Sequence, residues 1–352
     1  MNQKKINVGI IGYGLSGKVF HAPFLDANPG FNLKSIVERN HDFSKKDYPY
    51  IGIVSDYHEL LSDDGLDLIV VATPNTLHFP MAKAALLAGK HVVVEKPFTP
   101  TTQEADELIE LANFKDRKLF VYHNRRWDGD FLTVKKIKKY NMLGDFEYFE
   151  SRFDRFRPEL VPGVWRDEDL PGGGVLYDLG PHLIDQALQL FGRPQGVTAI
   201  IENQREGSKV DDYFKLILSY EKCEVVLTAG MLVEDSTPHY IIHGSNGSFV
   251  KYGLDPQEGA LKRGEKPDKE GWGRDAEDNY GFITLEYEDE QTEGRIITEA
   301  GCYQEFYNNV FDVLINGAEM AVKPEEAREV IGIIERAFSS NEKRLSSGLD
   351  IK

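Results

Sequence analysis

Residues 6–17 read Ile-Asn-Val-Gly-Ile-Ile-Gly-Tyr-Gly-Leu-Ser-Gly, an apolar run that ends in G-x-G-x-x-G. Such a run suits a parallel strand buried on both faces, and the glycines let the chain turn tightly into a helix. The first N–H groups of that helix, with its dipole, form a seat for a pyrophosphate. Glycine turns are common, but residues 18–27 continue with helical character, so this spacing sits in the strand–turn–helix context the motif requires. The expectation is a dinucleotide-binding loop made of Gly12, Tyr13, Gly14, Leu15, Ser16 and Gly17.

The same alternation continues. Residues 31–37, 66–73, 91–94 and 119–122 read as strands, and 76–88 and 103–114 as helices. Beyond residue 123 the pattern changes to aromatic-rich runs with period two, at 147–156, 213–220, 224–231 and 240–243. A helix opened by Pro181 and closed by Gly192 lies among them, with an apolar stripe of Ile184, Ala187, Leu188 and Phe191 that leaves His182 and Asp185 on the other face. Amphipathic segments at 304–315 and 325–338 end the pattern. The expected fold class is α/β: an N-terminal Rossmann domain over 1–123, then an α+β substrate-binding and oligomerisation domain over 124–352 with a large, mostly antiparallel sheet. The charged, glycine-containing stretch 255–278 is expected to be mobile or to cover a site.

Composition narrows the partners. With 41 Lys and Arg against 58 Asp and Glu, the net charge of -17 argues against nucleic acid and anionic membranes. The cluster Lys135, Lys136, Lys138, Lys139 is expected to be one solvated helix face. Two cysteines, Cys223 and Cys302, stand far apart without ligand spacing, so neither a disulfide framework nor a metal site is expected, and a reducing, cytoplasmic setting fits. No stretch has the length of a membrane span, and the glycines break the short apolar run after Lys4-Lys5 that would otherwise resemble a leader.

Ligands of doubly wound sheets sit beyond the carboxyl ends of the strands. Those ends carry Glu38-Arg39, Thr73-Pro74-Asn75, Glu95-Lys96-Pro97 and His123-Asn124-Arg125-Arg126-Trp127. A lysine between a buried strand and a proline is poor loop chemistry, which favours a functional role for Lys96 over a structural pair with Glu95. A second constellation follows three glycines: Val175-Leu176-Tyr177-Asp178-Leu179-Gly180-Pro181-His182. Pro181 at the first helical position would put His182 in the first turn, where the dipole favours the neutral imidazole a general base needs. Asp178 either caps that helix or orients the histidine ring.

Gly12-Tyr13-Gly14, Glu95-Lys96-Pro97 and the pair Asp178 and His182 resemble the glucose-fructose oxidoreductase, inositol dehydrogenase and rhizopine-catabolism (Gfo/Idh/MocA) family. Residues 122–128, Arg157-Pro158-Glu159, 182–186 and 250–253 resemble the branch that contains NADP-dependent scyllo-inositol dehydrogenase. The resemblance implies hydride transfer between nicotinamide and a secondary alcohol or ketone of a cyclitol or sugar, with Lys96, Asp178 and His182 as the catalytic lysine, aspartate and histidine. Cofactor-binding positions are then Gly12 to Gly17, Glu38, Arg39, Thr73, Pro74, Asn75, His78, Glu95, Lys96 and Asn124. Arg126, Trp165, Arg166, Tyr177 and Asp185 are candidates for the substrate hydroxyls. Glu38 favours NAD by accepting from a ribose 2′-OH, Arg39 favours NADP by pairing with a 2′-phosphate, and the resemblance tips the expectation to NADP. Alternatives are an aldose or anhydro-ketose enzyme, or a dinucleotide-sensing regulator of the same fold. A homo-oligomer, dimer or tetramer, is expected because the wide second sheet would otherwise expose a face.

Overall fold

The computed structural model describes residues 5–161, 163, 167–287 and 290–346. By packing, the chain divides into two units. The first takes the chain up to Trp127 together with Pro256–Trp272 and Cys302–Glu329, and the second takes Asp128–Asp255, Gly273–Gly301 and the chain from Val330. The sequence-based boundary after residue 123 thus falls close to the first crossing, while the two later returns to the first unit leave no compositional trace.

The first unit holds six parallel strands, β1 (Ile6–Ile11), β2 (Phe31–Val37), β3 (Gly52–Val54), β4 (Leu68–Val71), β5 (His91–Val94) and β6 (Leu119–Val121), in the order β3-β2-β1-β4-β5-β6. Leu68, Ile69, Val70 and Val71 are all fully buried, which is why the central strands read as unbroken apolar runs. Helices Ala22–Ala27, His78–Leu87 and Thr102–Phe114 connect them, the last started by the Thr101 hydroxyl, which accepts the Glu104 N–H at 3.3 Å. Helix Gln304–Asn316 completes this unit's core by setting Tyr307 edge-on to Phe31, ring centroids 5.7 Å apart.

The stretch 255–278 is not a free flap. It carries helix Gln257–Lys262, and Gln257 is 1% exposed, its amide donating to the Trp127 carbonyl and accepting from the Trp272 indole and the Tyr303 N–H. The glutamine supplies the polar partners that hold these strand-free segments down.

The second unit is an eight-stranded sheet in the order β14-β13-β12-β11-β7-β10-β9-β8. Its strands are β7 (Phe146–Arg152), β8 (Gly196–Glu202), β9 (Tyr213–Ser219), β10 (Glu224–Gly230), β11 (Pro238–Gly244), β12 (Gly247–Tyr252), β13 (Gly281–Tyr287) and β14 (Glu290–Ile296). Among the described residues only β7 and β10 of this sheet pair in parallel. One face is the core: Phe149, Tyr240, Ile242 and Phe249 are fully buried, and helix Gly180–Phe191 lies on it with Phe191 against Phe149 at 5.3 Å between centroids. Of the lysine cluster on helix Gly129–Lys139, Lys136, Lys138 and Lys139 are exposed, while Lys135 is half-buried over the Phe131 ring and Lys138 lies over Phe146 and Phe191. Among the described residues no helix is long and apolar enough to cross a membrane.

Candidate active site

The glycine loop of the first unit is shaped by three different demands. Gly12 has φ +101, and a Cβ there would sit 2.6 Å from the Ala72 carbonyl oxygen. A Cβ on Gly17 would sit 2.1 Å from the Gly12 carbonyl oxygen, so both positions exclude any side chain. Gly14 has nothing within 4 Å of its would-be Cβ, so its bareness keeps space open above the loop. The chain turns helical at Leu15, with a π-helical turn over Gly17–His21.

That space belongs to a cavity of about 650 Å³ lined by Gly12, Tyr13, Gly14, Glu38, Arg39, Thr73 and Pro74. The buried Thr73 hydroxyl on its wall has no hydrogen-bond partner among the described residues. An open cradle over a glycine, helix N–H groups and an unsatisfied hydroxyl fit a dinucleotide. At the far end Arg39 is exposed, while Glu38 turns back: its carboxylate accepts from the Phe43 N–H at 3.1 Å, the Ser44 N–H at 2.9 Å and the Ser44 hydroxyl.

His78 is buried with both ring nitrogens on backbone carbonyls, Pro97 at 2.7 Å and Thr73 at 2.9 Å, so it ties the ends of β4 and β5 together. Burial pushes its pKa down. Asn75 is buried with its Oδ1 accepting the Thr76 N–H at 2.9 Å, and Asn124 is 5% exposed. Glu95 follows β5 and is 7% exposed. Burial alone would raise its carboxyl, but hydrogen bonds from His21 and Ser16 outweigh that and hold it at about 2. Lys96, next to it, is half-buried, and its own N–H donates to Glu95 Oε2 at 2.9 Å. Arg126 is buried, its Nη1 donating to the Ala321 carbonyl at 2.6 Å and pairing with Glu326 at 2.8 Å. Its guanidinium is thus held within the first unit's own framework.

In the second unit, three glycines precede a short helix, Val175–Asp178, and then helix Gly180–Phe191. Gly174 has φ +89, and a Cβ there would lie 2.0 Å from an Asp211 carboxylate oxygen. Asp211 in turn accepts the Leu176 N–H at 2.7 Å, and burial raises its carboxyl to about 7. Asp178 therefore ends one helix and does not cap the next: the cap position of the second helix is Leu179, with no side-chain bond. That helix begins at Gly180, one residue before the predicted start, and His182 stays in its first turn. His182 and Asp185 are also buried, at 6% and 2% exposure, because the first two turns are covered on all sides rather than along one stripe. Tyr177 is buried and stacks on Phe338, ring centroids 6.0 Å apart. Trp165 and Arg166 lie outside the described residues.

Arg155 Nη1 approaches Asp178 at 3.7 Å. Both line a cavity of about 340 Å³ with Arg157, Glu159, Asp167 and Arg205. Arg205 is held by Asp167 at 2.8 Å and Asp212 at 3.0 Å. Arg155, Arg205 and Asp211 escaped the reading of the sequence. Only the ends of the period-two runs flagged their neighbourhood, and their partners lie up to tens of residues away.

Two family models account for most of the chain: the oxidoreductase family NAD-binding Rossmann fold over residues 6–123, and the oxidoreductase family C-terminal alpha/beta domain over 135–346. The chain is 46% identical over 339 residues to the uncharacterized oxidoreductase YdgJ of Escherichia coli strain K12, covering 96% of this chain and 97% of that protein. It is 43% identical over 341 residues to scyllo-inositol 2-dehydrogenase (NADP(+)) IolW of Bacillus subtilis strain 168, covering 96% and 95%. The solved structure of the oxidoreductase yvaA from Bacillus subtilis matches with a TM-score of 0.93 at 40% identity, over 98% of each chain. With the glycine loop and Glu95-Lys96-Pro97 in place, these matches assign the chain to the Gfo/Idh/MocA family, as an NAD(P)-dependent oxidoreductase.

Proposed function

We propose that this enzyme interconverts a ring secondary alcohol and its ketone on a cyclitol, scyllo-inositol and its inosose first, with NADP. The observation that carries the reading is the cavity beside Asp178, lined by Arg155, Arg157, Arg205, Glu159, Asp167 and Asp178, with Arg155 facing Asp178 and Arg205 paired with Asp167. Donors and acceptors in balance suit a neutral molecule with a hydroxyl on every carbon. The name of the 43% identical IolW, a scyllo-inositol 2-dehydrogenase (NADP(+)), supports the same class and the same cofactor. Arg39, exposed on the cofactor cavity, is the group that would pair with a 2′-phosphate.

Bound nicotinamide supplies the hydride acceptor. The chain supplies the rest: Lys96, as a cation, donates to the reacting oxygen and stabilises the charge that develops on it. His182 takes the hydroxyl proton in oxidation and returns it in reduction, and Asp178 holds the imidazole in the required tautomer. Tyr177, Asp185, Trp165 and Arg166 are proposed for the remaining hydroxyls. A reducing cytoplasmic setting is part of the proposal, and Cys223 and Cys302 are not joined in a disulfide among the described residues. The outer face of the second sheet carries Tyr252 and Phe282, 50% and 49% exposed, which supports a homo-oligomer, checked by sedimentation.

The deciding experiment is a turnover screen of inositols, inososes, aldoses and anhydro-ketoses with both cofactors. Turnover of scyllo-inositol with NADP supports the reading. Turnover confined to aldoses or anhydro-ketoses moves the substrate class, and cofactor binding without any turnover overturns the assignment to a cyclitol.

A further inference from the structure

We propose that His21 is a positioning residue for Lys96, acting through Glu95; the inference rests on the role given to Lys96 above. His21 is 0% exposed and lies on the π-helical turn that follows the glycine loop. Its Nε2 is 2.9 Å from Glu95 Oε1, and its Nδ1 is 2.6 Å from the Tyr307 hydroxyl. The carboxylate fixes the role of the nitrogen that faces it. An ionised carboxylate only accepts, so Nε2 carries a proton toward Glu95, while Nδ1 faces the Tyr307 hydroxyl. Burial holds the Tyr307 phenol well above its ordinary pKa, so that proton is always present. Tyr307, His21 and Glu95 thus form a continuous hydrogen-bonded chain.

Glu95 is where the chain ends and divides. Its Oε1 takes His21 and the Ser16 hydroxyl, and its Oε2 takes the backbone N–H of Lys96 at 2.9 Å. One buried carboxylate therefore joins the glycine loop, the helix behind it and the backbone of the lysine. A carboxylate with three donors in fixed directions cannot rotate without leaving one of them unmade inside the protein, at a cost for each. Removing His21 leaves Oε1 with the Ser16 hydroxyl alone, so the carboxylate that accepts the Lys96 N–H is held by one donor fewer while the lysine's ammonium chemistry is untouched. Tyr122 closes the remaining side of the imidazole, ring centroids 4.4 Å apart, so water has no easy way to replace the ring.

The test uses the full-length enzyme with NADP and the alcohol found in the turnover screen. His21→Leu is expected to lower kcat by about 10- to 100-fold. The Kd for NADPH, read by fluorescence titration, should stay within about threefold, as should KM. His21→Gln, whose amide both donates and accepts, should recover most of kcat, and Tyr307→Phe should lower it by a smaller factor. If His21→Leu fails to fold, the Gln and Phe variants carry the same comparison. In a Lys96→Ala background His21→Leu should cost nothing further. An equal loss in both backgrounds, or a kcat within threefold of the parent in folded His21→Leu and Tyr307→Phe, overturns the positioning role. Retention of kcat in Lys96→Ala alone is a different result: it removes the role of Lys96 itself.

Discussion

Glu38 and Ser44 are joined twice, the carboxylate accepting both the backbone N–H, at 2.9 Å, and the hydroxyl of Ser44. Glu38 thus serves the start of helix Phe43–Asp47, whose cap residue Asp42 makes no side-chain bond, and Arg39 is left facing the cofactor cavity. Arg39→Ala is expected to weaken NADPH by roughly 5- to 150-fold, about 1 to 3 kcal/mol, and NADH far less. Glu38→Ala should lower stability by about 1 kcal/mol with a small change in the ratio of the two affinities. Dissociation constants for both cofactors check this, and equal losses in Arg39→Ala would assign NAD.

Lys96→Ala should lower kcat by on the order of a hundredfold or more, because the charge it stabilises exists only as the reaction proceeds. Its Kd for NADPH should be largely retained. Steady-state kinetics beside a fluorescence titration give both numbers, and a kcat near the parent's in the folded variant would remove the lysine from the mechanism.

Alcohol oxidation should rise with pH through one ionisation that disappears in His182→Ala, along with most of the activity. The pH profile of kcat/KM is the measurement. An unchanged profile in the variant would move the proton transfer to Lys96.

Asp211 should make the protein less stable as pH rises. Burial keeps its carboxyl protonated to about pH 7 in the folded state, whereas the unfolded carboxyl, near its ordinary 3.8, has already lost the proton. Between those values the folded state binds more protons, so stability falls with rising pH. Asp211→Asn, which keeps the acceptor for the Leu176 N–H, should therefore gain on the parent from pH 4.5 to 8, by up to about 4 kcal/mol. Urea melts across that range test it; a constant offset would contradict the titration.

How much of this was legible follows from where each signal is stored. β2 and β5 stand at their predicted bounds: β5 is a short run of buried valines, and β2 keeps Phe31, Leu33, Ile36 and Val37 buried between its polar positions. β3, Gly52–Val54, has three residues at a sheet edge, and β14, Glu290–Ile296, is largely exposed, so neither leaves a run or a clean alternation. The glycine loop could be read locally, since strand, turn and helix are adjacent, and so could the place of Lys96 just after β5. The ion pair of Arg126 could not be read, because Glu326 lies 200 residues on. Likewise nothing near residue 174 announces Asp211, although its carboxylate is what forbids a side chain at Gly174.

The aromatic wall of the first unit sets an order of events during synthesis. Phe24 packs on Tyr303, Phe31 on Tyr307 and Tyr122 on Phe306. A ribosome that has finished all six strands of the nucleotide-binding sheet must still make most of the second unit before those three rings emerge. Until then Phe24, Phe31 and Tyr122 lack their covering, and the nascent sheet stands as an open half-core in need of shelter. A truncation at residue 127 would hold the nucleotide-binding sheet in that uncovered state.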